Sequence, residues 1–387
     1  MQDDIRTLKD FEFRNKTVLL RSDLNVPVDA KGKILNDFRI KSSLPTIREL
    51  FRKGARQIIV MSHLGRPKNK EQHLSMKEVA KTLLKLTGRK TQVLEDFDEL
   101  PKPEESSLVL MENLRFFEEE ERDDDEFAKK LASLADIYVN DAFGVCHRKH
   151  ASVHAITKHI KGCVGLLVEK ELKAFKTLET PEKPFTAIIG GAKLETKLPI
   201  IHNLLERVDN LLVGGGMIFT FFAAQKLEVG KSIVDRNQLV MAKMLLNNEK
   251  LILPEDIIIA DDAQMPTQVL SVDKSKIPSY MIGLDIGKKS LNKYAKIVSD
   301  SKTIVWNGPL GYYEKKEFAR ATVELLKFLS ELKDVKVVIG GGDTASLVEE
   351  LNLRDKFFHV STGGGASLKL LEGKELVAIS ALKSQKS

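Results

Sequence analysis

At 387 residues, 42% hydrophobic and 30% charged, the chain is long for a single core and ordinary in composition for a soluble globular enzyme, so two domains are expected. A net charge of +6 is modest for this length and the aromatics lie in apolar runs rather than between basic residues, which argues against a nucleic-acid partner. Cys146 and Cys163 are too few for a disulfide framework and point to a reducing, cytoplasmic setting. The first ten residues lack the apolar core of a secretory signal, and the longest charge-free stretch, 211–225, is too short and glycine-rich to span a bilayer.

Short apolar runs alternate with segments of helical period along the chain, which predicts α/β architecture with parallel sheets. In the first half, the run at 17–20 gives way to Arg21, Asp23 and Asn25, and that at 58–61 to Ser62, His63, Gly65 and Arg66. The run at 108–111 leads to Glu112, Asn113 and Arg115, and that at 137–139 to Asn140, Asp141, His147 and Arg148. Arginine and histidine at the same end of successive strands read as a pocket for a small, multiply charged anion; singly, each arginine reads as a solvated loop residue. Between these runs, Leu44, Ile47, Leu50 and Phe51 predict a helix ended by Gly54, with Arg39 near its start and its guanidinium free. Ser75 with Glu78 predicts a capping box for a helix stopped at Gly88. Residues 118–126, EEEERDDDE, read as a solvated, acidic helix start. The run 166–178 predicts a helix broken by Thr180, Pro181 and Pro184, a connector after which a second domain begins near Phe185.

The second half has a different signature. Four times, at 186–191, 211–216, 335–342 and 357–365, an apolar run lands on clustered glycines. Glycine also serves simply to turn a chain, but four such turns at the exits of parallel strands crowd one sheet edge, where open α/β folds bind ligands. Turns of this kind that open helices present amide groups to an anion, so this half is expected to hold a nucleotide.

Other motifs narrow the choice. Gly230-Lys231-Ser232 imitates the end of a Walker A loop, but Gln225 stands where that pattern needs glycine. Gly340 to Ala345 fits G-x-G-x-x-A after a strand, yet Asp343 would repel a pyrophosphate and the following strand ends at Ser361 and Thr362, with no acid for a ribose. Asp343 is better read as a magnesium ligand beside phosphates or, without metal, as a helix cap. Cys146, His147, His150 and His154 match no standard zinc spacing, and no G-x-S-x-G occurs.

Arg21-Ser22-Asp23-Leu24-Asn25-Val26-Pro27 closely resembles the R-x-D-x-N-V-P signature of the phosphoglycerate kinases, and further motifs follow in family order. These are Ser62 to Pro67, Glu112 to Phe116, Asp141 to Gly144 with His147-Arg148, Gly190 to Lys193, Trp306 to Pro309, Gly340 to Thr344 and Ser361 to Ser367. The resemblance implies two doubly wound, Rossmann-like parallel-sheet domains facing a cleft and joined by a connector helix. Residues 1–165 with 368–387 would form the first domain, 166–180 the connector and 181–367 the second. It implies a monomeric cytoplasmic enzyme, without membrane or nucleic-acid partners, that moves a phosphoryl group from 1,3-bisphosphoglycerate to ADP, giving 3-phosphoglycerate and ATP, with magnesium as cofactor of the nucleotide.

By position, Asp23, Asn25, Arg39, His63, Arg66, Arg115 and Arg148 resemble the family's acid site. Lys193, Lys197, Gly214, Gly215, Asn307, Glu314, Gly340, Gly341, Gly342, Asp343 and Thr344 resemble its nucleotide site, with Asp343 toward the metal and Glu314 toward the ribose. Arg39, Lys193, Lys197, Gly364 and Gly365 are the expected stabilisers of the transferring group, and domain closure is expected to bring the ligands into line. Thr196, Pro199 and Lys288 depart from the common pattern, and Pro199 is expected to shorten or tilt the helix start after Lys197. The alternatives are an NAD-dependent dehydrogenase using the G-x-G-x-x-A turn, or an inactive scaffold of the same fold.

Overall fold

The computed structural model describes residues 5–95, 97 and 107–385. The chain divides into two compact units, one formed by the chain up to Lys173 and from Glu375 onward, the other by Ala174–Lys374. Both are α/β, each built on a six-stranded parallel sheet.

Unit 1 holds β1 (Thr17–Ser22), β2 (Gln57–Met61), β3 (Thr91–Leu94), β4 (Ser107–Met111), β5 (Ile137–Asp141) and β6 (Gly162–Val164), in the order β3-β4-β2-β1-β5-β6. Every residue of β1, β2 and β5 is buried, as expected of central parallel strands covered on both faces. The helix Phe38–Arg52 turns Ile40, Leu44, Ile47 and Leu50 into that core, and Gly54, at φ +85°, leads the chain out of it. The register sets Arg21 beside Met61 and Asn140, so the strands release their loops at one edge. The C-terminal helix Val377–Ser384 also belongs here. Ala378 N–H donates to the Cys146 carbonyl at 3.0 Å, and the Gln385 side chain bonds Gly162, Thr157 and Ile160.

Unit 2 holds β7 (Phe185–Ile189), β8 (Asn210–Val213), β9 (Leu251–Ile252), β10 (Asp256–Ala260), β11 (Val269–Asp273), β12 (Ile282–Ile286), β13 (Thr303–Asn307), β14 (Lys336–Gly340) and β15 (His359–Val360). The parallel sheet runs β15-β14-β13-β7-β8-β9, so all four glycine turns leave it at the same edge. The other three strands form an antiparallel sheet, β11-β10-β12, which the sequence pattern did not reveal. Its edge strand β11 is mostly exposed and carries no apolar run to announce it.

Two local expectations are corrected. The helix Lys77–Thr87 has no capping box: Met76 occupies the N-cap, and the Ser75 hydroxyl donates instead to Glu112 at 2.7 Å. Glu112 also takes the Met76 N–H at 2.7 Å, and a buried carboxylate is a stronger acceptor than a local turn offers. The acidic run is not wholly solvated either, because Glu120 is only 1% exposed. The helix following β6 spans Leu166–Lys176. Its first amides, of Leu167 and Val168, donate to Asp141 Oδ1 at 2.9 and 3.3 Å.

Candidate functional sites

In unit 1 the strand exits converge on His63, which is 3% exposed. Burial first, then the charges of Arg21, Arg115, Arg39 and Arg148, hold its pKa well below the usual imidazole range. The charges of four guanidinium groups therefore bear on one buried ring, and Arg21 Nη2 lies 3.2 Å from its Nδ1. Arg115 is itself pushed down to about 10, mainly by burial and then by Arg148; it donates to the Gly65 carbonyl at 2.5 Å and lies 3.2 Å from Glu121. Arg39, second in the helix Phe38–Arg52, does not have a free guanidinium, because it is paired with the buried carboxylate of Asp23. Asn25 Oδ1 accepts the Gly65 N–H at 2.8 Å and so shapes the loop carrying His63 and the exposed Arg66. The concentration of positive charge at one sheet edge suits a small polyanion.

Asn113 went unread as a site former. Its side chain accepts from Leu64 and Arg115 amides at 3.1 Å each and donates to Leu64 and Leu74 carbonyls at 2.8 and 3.0 Å, tying three loops together. Its place after β4 was visible, but nothing in its own spacing announced those partners.

Unit 2 contains a cavity of about 270 Å³ whose walls include Phe219, Ile233 and Leu284 and whose rim includes Tyr313, Glu314 and Asp343. Apolar walls with few polar groups at the rim suit an aromatic base and its sugar. Beyond the rim, the helix Gly342–Glu350 starts from Gly341 at φ +91°, a conformation that favours glycine. The helix Gly364–Leu371 starts close by, since a Cβ on Gly364 would lie 3.0 Å from the Gly342 nitrogen. Two helix N-termini thus adjoin, with Gly342 unobstructed, and their dipoles favour an anion.

Lys197 donates to Asn307 Oδ1 at 2.7 Å, and burial lowers its pKa while the charge of Asp343 opposes that shift. The Asn307 Nδ2 is buried without a partner and would lie 2.9 Å from a Cβ on Gly341. It is a donor aimed at the space that the missing side chain leaves. Lys193 is exposed nearby in sequence, and Pro199 sits in the first turn of the helix Leu198–Leu205, where proline is tolerated. Thr344 uses its hydroxyl to accept the Gly308 N–H at 3.0 Å, and Lys288 begins the helix Lys288–Ser299 without lining the cavity.

The helix-cap alternative for Asp343 does not hold. It lies in the first turn of a helix whose N-cap is Gly341, and its charge, after burial, raises the proton affinity of Tyr313. Among the described residues no group of three or more His, Cys, Asp or Glu could hold a metal, and His154 pairs with Asp123 at 2.7 Å. One carboxylate beside an anion site nevertheless fits magnesium, which commonly takes one or two protein carboxylates and completes its shell with phosphates and water.

The glycines divide by physical need. A Cβ on Gly190 would meet the Pro309 carbonyl at 1.9 Å, and one on Gly214 would meet Leu310 at 2.5 Å. A Cβ on Gly215, which sits at φ +72°, would meet the Gly191 nitrogen at 2.5 Å. These three let strands and turns pack, whereas a Cβ on Gly342 would meet nothing within 4 Å and its amide edge is open to a ligand.

A cluster of arginines about His63 on one α/β unit and glycine turns beside a cavity on the other fit a kinase acting on a small acid. The family model for phosphoglycerate kinase matches residues 8–374. The phosphoglycerate kinase of Dictyoglomus turgidum is 43% identical over 98% of this chain and 99% of that protein, and the cytosolic enzyme of Triticum aestivum is 44% identical over 98% of each. The solved phosphoglycerate kinase of Coxiella burnetii superposes with a TM-score of 0.89 at 36% identity, covering 99% of this chain and 100% of that one. The chain belongs to the phosphoglycerate kinase family. It is a phosphotransferase of glycolysis, and the dehydrogenase and scaffold alternatives are not favoured.

Proposed function

We propose that unit 1 binds 3-phosphoglycerate at the loops around His63 and that unit 2 binds ATP or ADP with magnesium at the glycine turns. The observation that carries this reading is the contrast between the four arginines about His63 and the unpartnered Asn307 amide beside Gly341. Arg66, Arg115 and Arg148 would pair with the phosphate and carboxylate of the acid, and Asp23 would orient Arg39. Glu314, at the cavity rim, would take ribose hydroxyls.

The acceptor in the ATP-consuming direction is a carboxylate, already ionised at neutral pH, so the chain needs no general base. Catalysis then rests on alignment and on positive charge around a loose phosphoryl group. Arg39, Lys193 and Lys197 would supply that charge, with amide groups of Gly342, Gly364 and Gly365 at the two adjoining helix N-termini. Asp343 would hold magnesium, which supplies further positive charge to the nucleotide phosphates.

Because the acid and the nucleotide fall to different units, transfer would require closure of one unit on the other to within bonding reach. The radius of gyration should therefore fall most with both ligands bound. The protein would work as a cytosolic monomer; among the described residues no helix is long and apolar enough to cross a membrane. A coupled assay should show magnesium-dependent ATP formation from ADP and 1,3-bisphosphoglycerate, and folded protein inactive in that assay would overturn the reading.

A further inference from the structure

Behind the acid pocket, four buried side chains of unit 1 form a line from the acidic run to His63. Ser152 donates its hydroxyl to Glu120 Oε1 at 2.6 Å and its N–H to Oε2 at 2.9 Å. The same hydroxyl accepts from Arg21 Nε at 2.8 Å, and Arg21 Nη2 reaches His63 Nδ1 at 3.2 Å. Arg21 and Glu120 are each 1% exposed and stand 4.0 Å apart at their nearest charged atoms. Arg21 Nη1 is further fixed on the Ser22 carbonyl at 2.5 Å.

The chemistry of the line runs in one direction. A guanidinium has donors and no acceptor, so a hydrogen bond between Arg21 and His63 Nδ1 requires Nδ1 to accept. A neutral imidazole that accepts at Nδ1 carries its proton on Nε2. Ser152 can turn its lone pair to Arg21 because its hydroxyl hydrogen is donated to Glu120, a carboxylate that only accepts when ionised. Arg115, Arg39 and Arg148 also act on the ring, and His150 lies 3.8 Å from Glu120 with its pKa pushed down to about 4, chiefly by burial. Glu120 is thus the carboxylate that balances the buried guanidinium facing His63.

We infer that Glu120 is a positioning residue for the acid site, acting through Ser152 and Arg21 to hold His63 as its neutral Nε2–H tautomer. His63 then meets the acid substrate as a hydrogen-bond donor rather than as an acceptor that would repel it. This inference rests on the assignment of 3-phosphoglycerate to unit 1.

The test is nitrogen-15 NMR of the histidine rings at neutral pH, with calorimetric titration of 3-phosphoglycerate and of ADP, on the full chain. Wild type should show His63 with Nε2 protonated and Nδ1 unprotonated. Glu120→Gln, which keeps the shape of the carboxylate and loses its charge, should mix the two tautomers. It should also weaken 3-phosphoglycerate about tenfold, the scale of one hydrogen bond to a charged group, with ADP affinity unchanged. Ser152→Ala, which leaves both charges in place, should shift the tautomer in the same direction with a smaller loss of affinity, and serves if Glu120→Gln does not fold. An Nδ1–H tautomer in wild type would overturn the inference, as would equal weakening of both ligands or an unchanged His63 in the folded variants. If wild type binds no 3-phosphoglycerate, the assignment of the acid site fails instead.

Discussion

The strand exits of unit 1 carry long cationic side chains, whereas those of unit 2 carry clustered glycines. The charges of Arg21, Arg39, Arg115 and Arg148 bear on one buried ring, and burial first, then those charges, depress the proton affinities of His63 and, through Arg148 and Arg21, of Arg115. Across the second sheet the corresponding positions are glycines, two of which open adjoining helices. The difference fits the two tasks proposed for the units. A small acid needs several charges converging on a few atoms, while a long nucleotide needs a smooth wall and amide groups spread along it. The cationic site also gathers like charge that an anion would relieve.

The largest effect should come from Arg39→Ala. Loss of an arginine that stabilises a transferring phosphoryl group should lower kcat by about 10³-fold in steady-state kinetics. Because Asp23 is left buried without its partner, urea unfolding should also show a loss of about 1–3 kcal/mol. Near-normal kcat would reduce Arg39 to a substrate anchor.

The glycines of unit 2 should separate into two kinds. Gly190→Ala forces a methyl against the Pro309 carbonyl and should cost about 3 kcal/mol in stability, the upper range for overpacking. Gly342→Ala has open space and should stay within about 0.5 kcal/mol of wild type in urea unfolding, while nucleotide affinity in calorimetry falls. Equal stability losses would erase the distinction between packing and ligand glycines. Asp343→Asn should weaken magnesium nucleotide about tenfold or more and leave 3-phosphoglycerate unaffected. Matching losses for the two ligands would break the division between the units.

The smallest effect concerns pH. Burial raises the Asp141 carboxyl to about 6, above the roughly 3.9 of an unfolded aspartate, so the folded state binds its proton more tightly. Stability from that protonation is fully present below about pH 4 and is lost as pH rises through about 6. Relative to Asp141→Asn, wild type should gain about 1 kcal/mol between about pH 7 and pH 5 in urea unfolding. No difference between the two slopes would place the ionised carboxylate comfortably on the amides of Leu167 and Val168.

Much of this was legible from runs and their endings. The buried strands read as apolar runs, and the parallel order put both sets of turns at sheet edges as expected. The antiparallel sheet was not legible, because β11 alternates weakly and lies exposed at an edge. The partners of buried acids were equally hidden. Glu120 looks like its neighbours in EEEERDDDE and Glu112 like any strand-end acid, since only tertiary packing selects which carboxylate is withdrawn from water. Ser75 and Glu78 matched a local capping pattern that Glu112, distant in sequence, overrode.

Hydrogen exchange of the full chain with one ligand at a time tests the division of labour most directly. 3-Phosphoglycerate alone should slow exchange in the loops at residues 21–27, 62–67 and 112–116, and magnesium ADP alone should slow it at 190–193, 214–217, 308–314 and 340–345. Protection of the arginine loops by magnesium ADP, with no change at the glycine turns, would contradict the account.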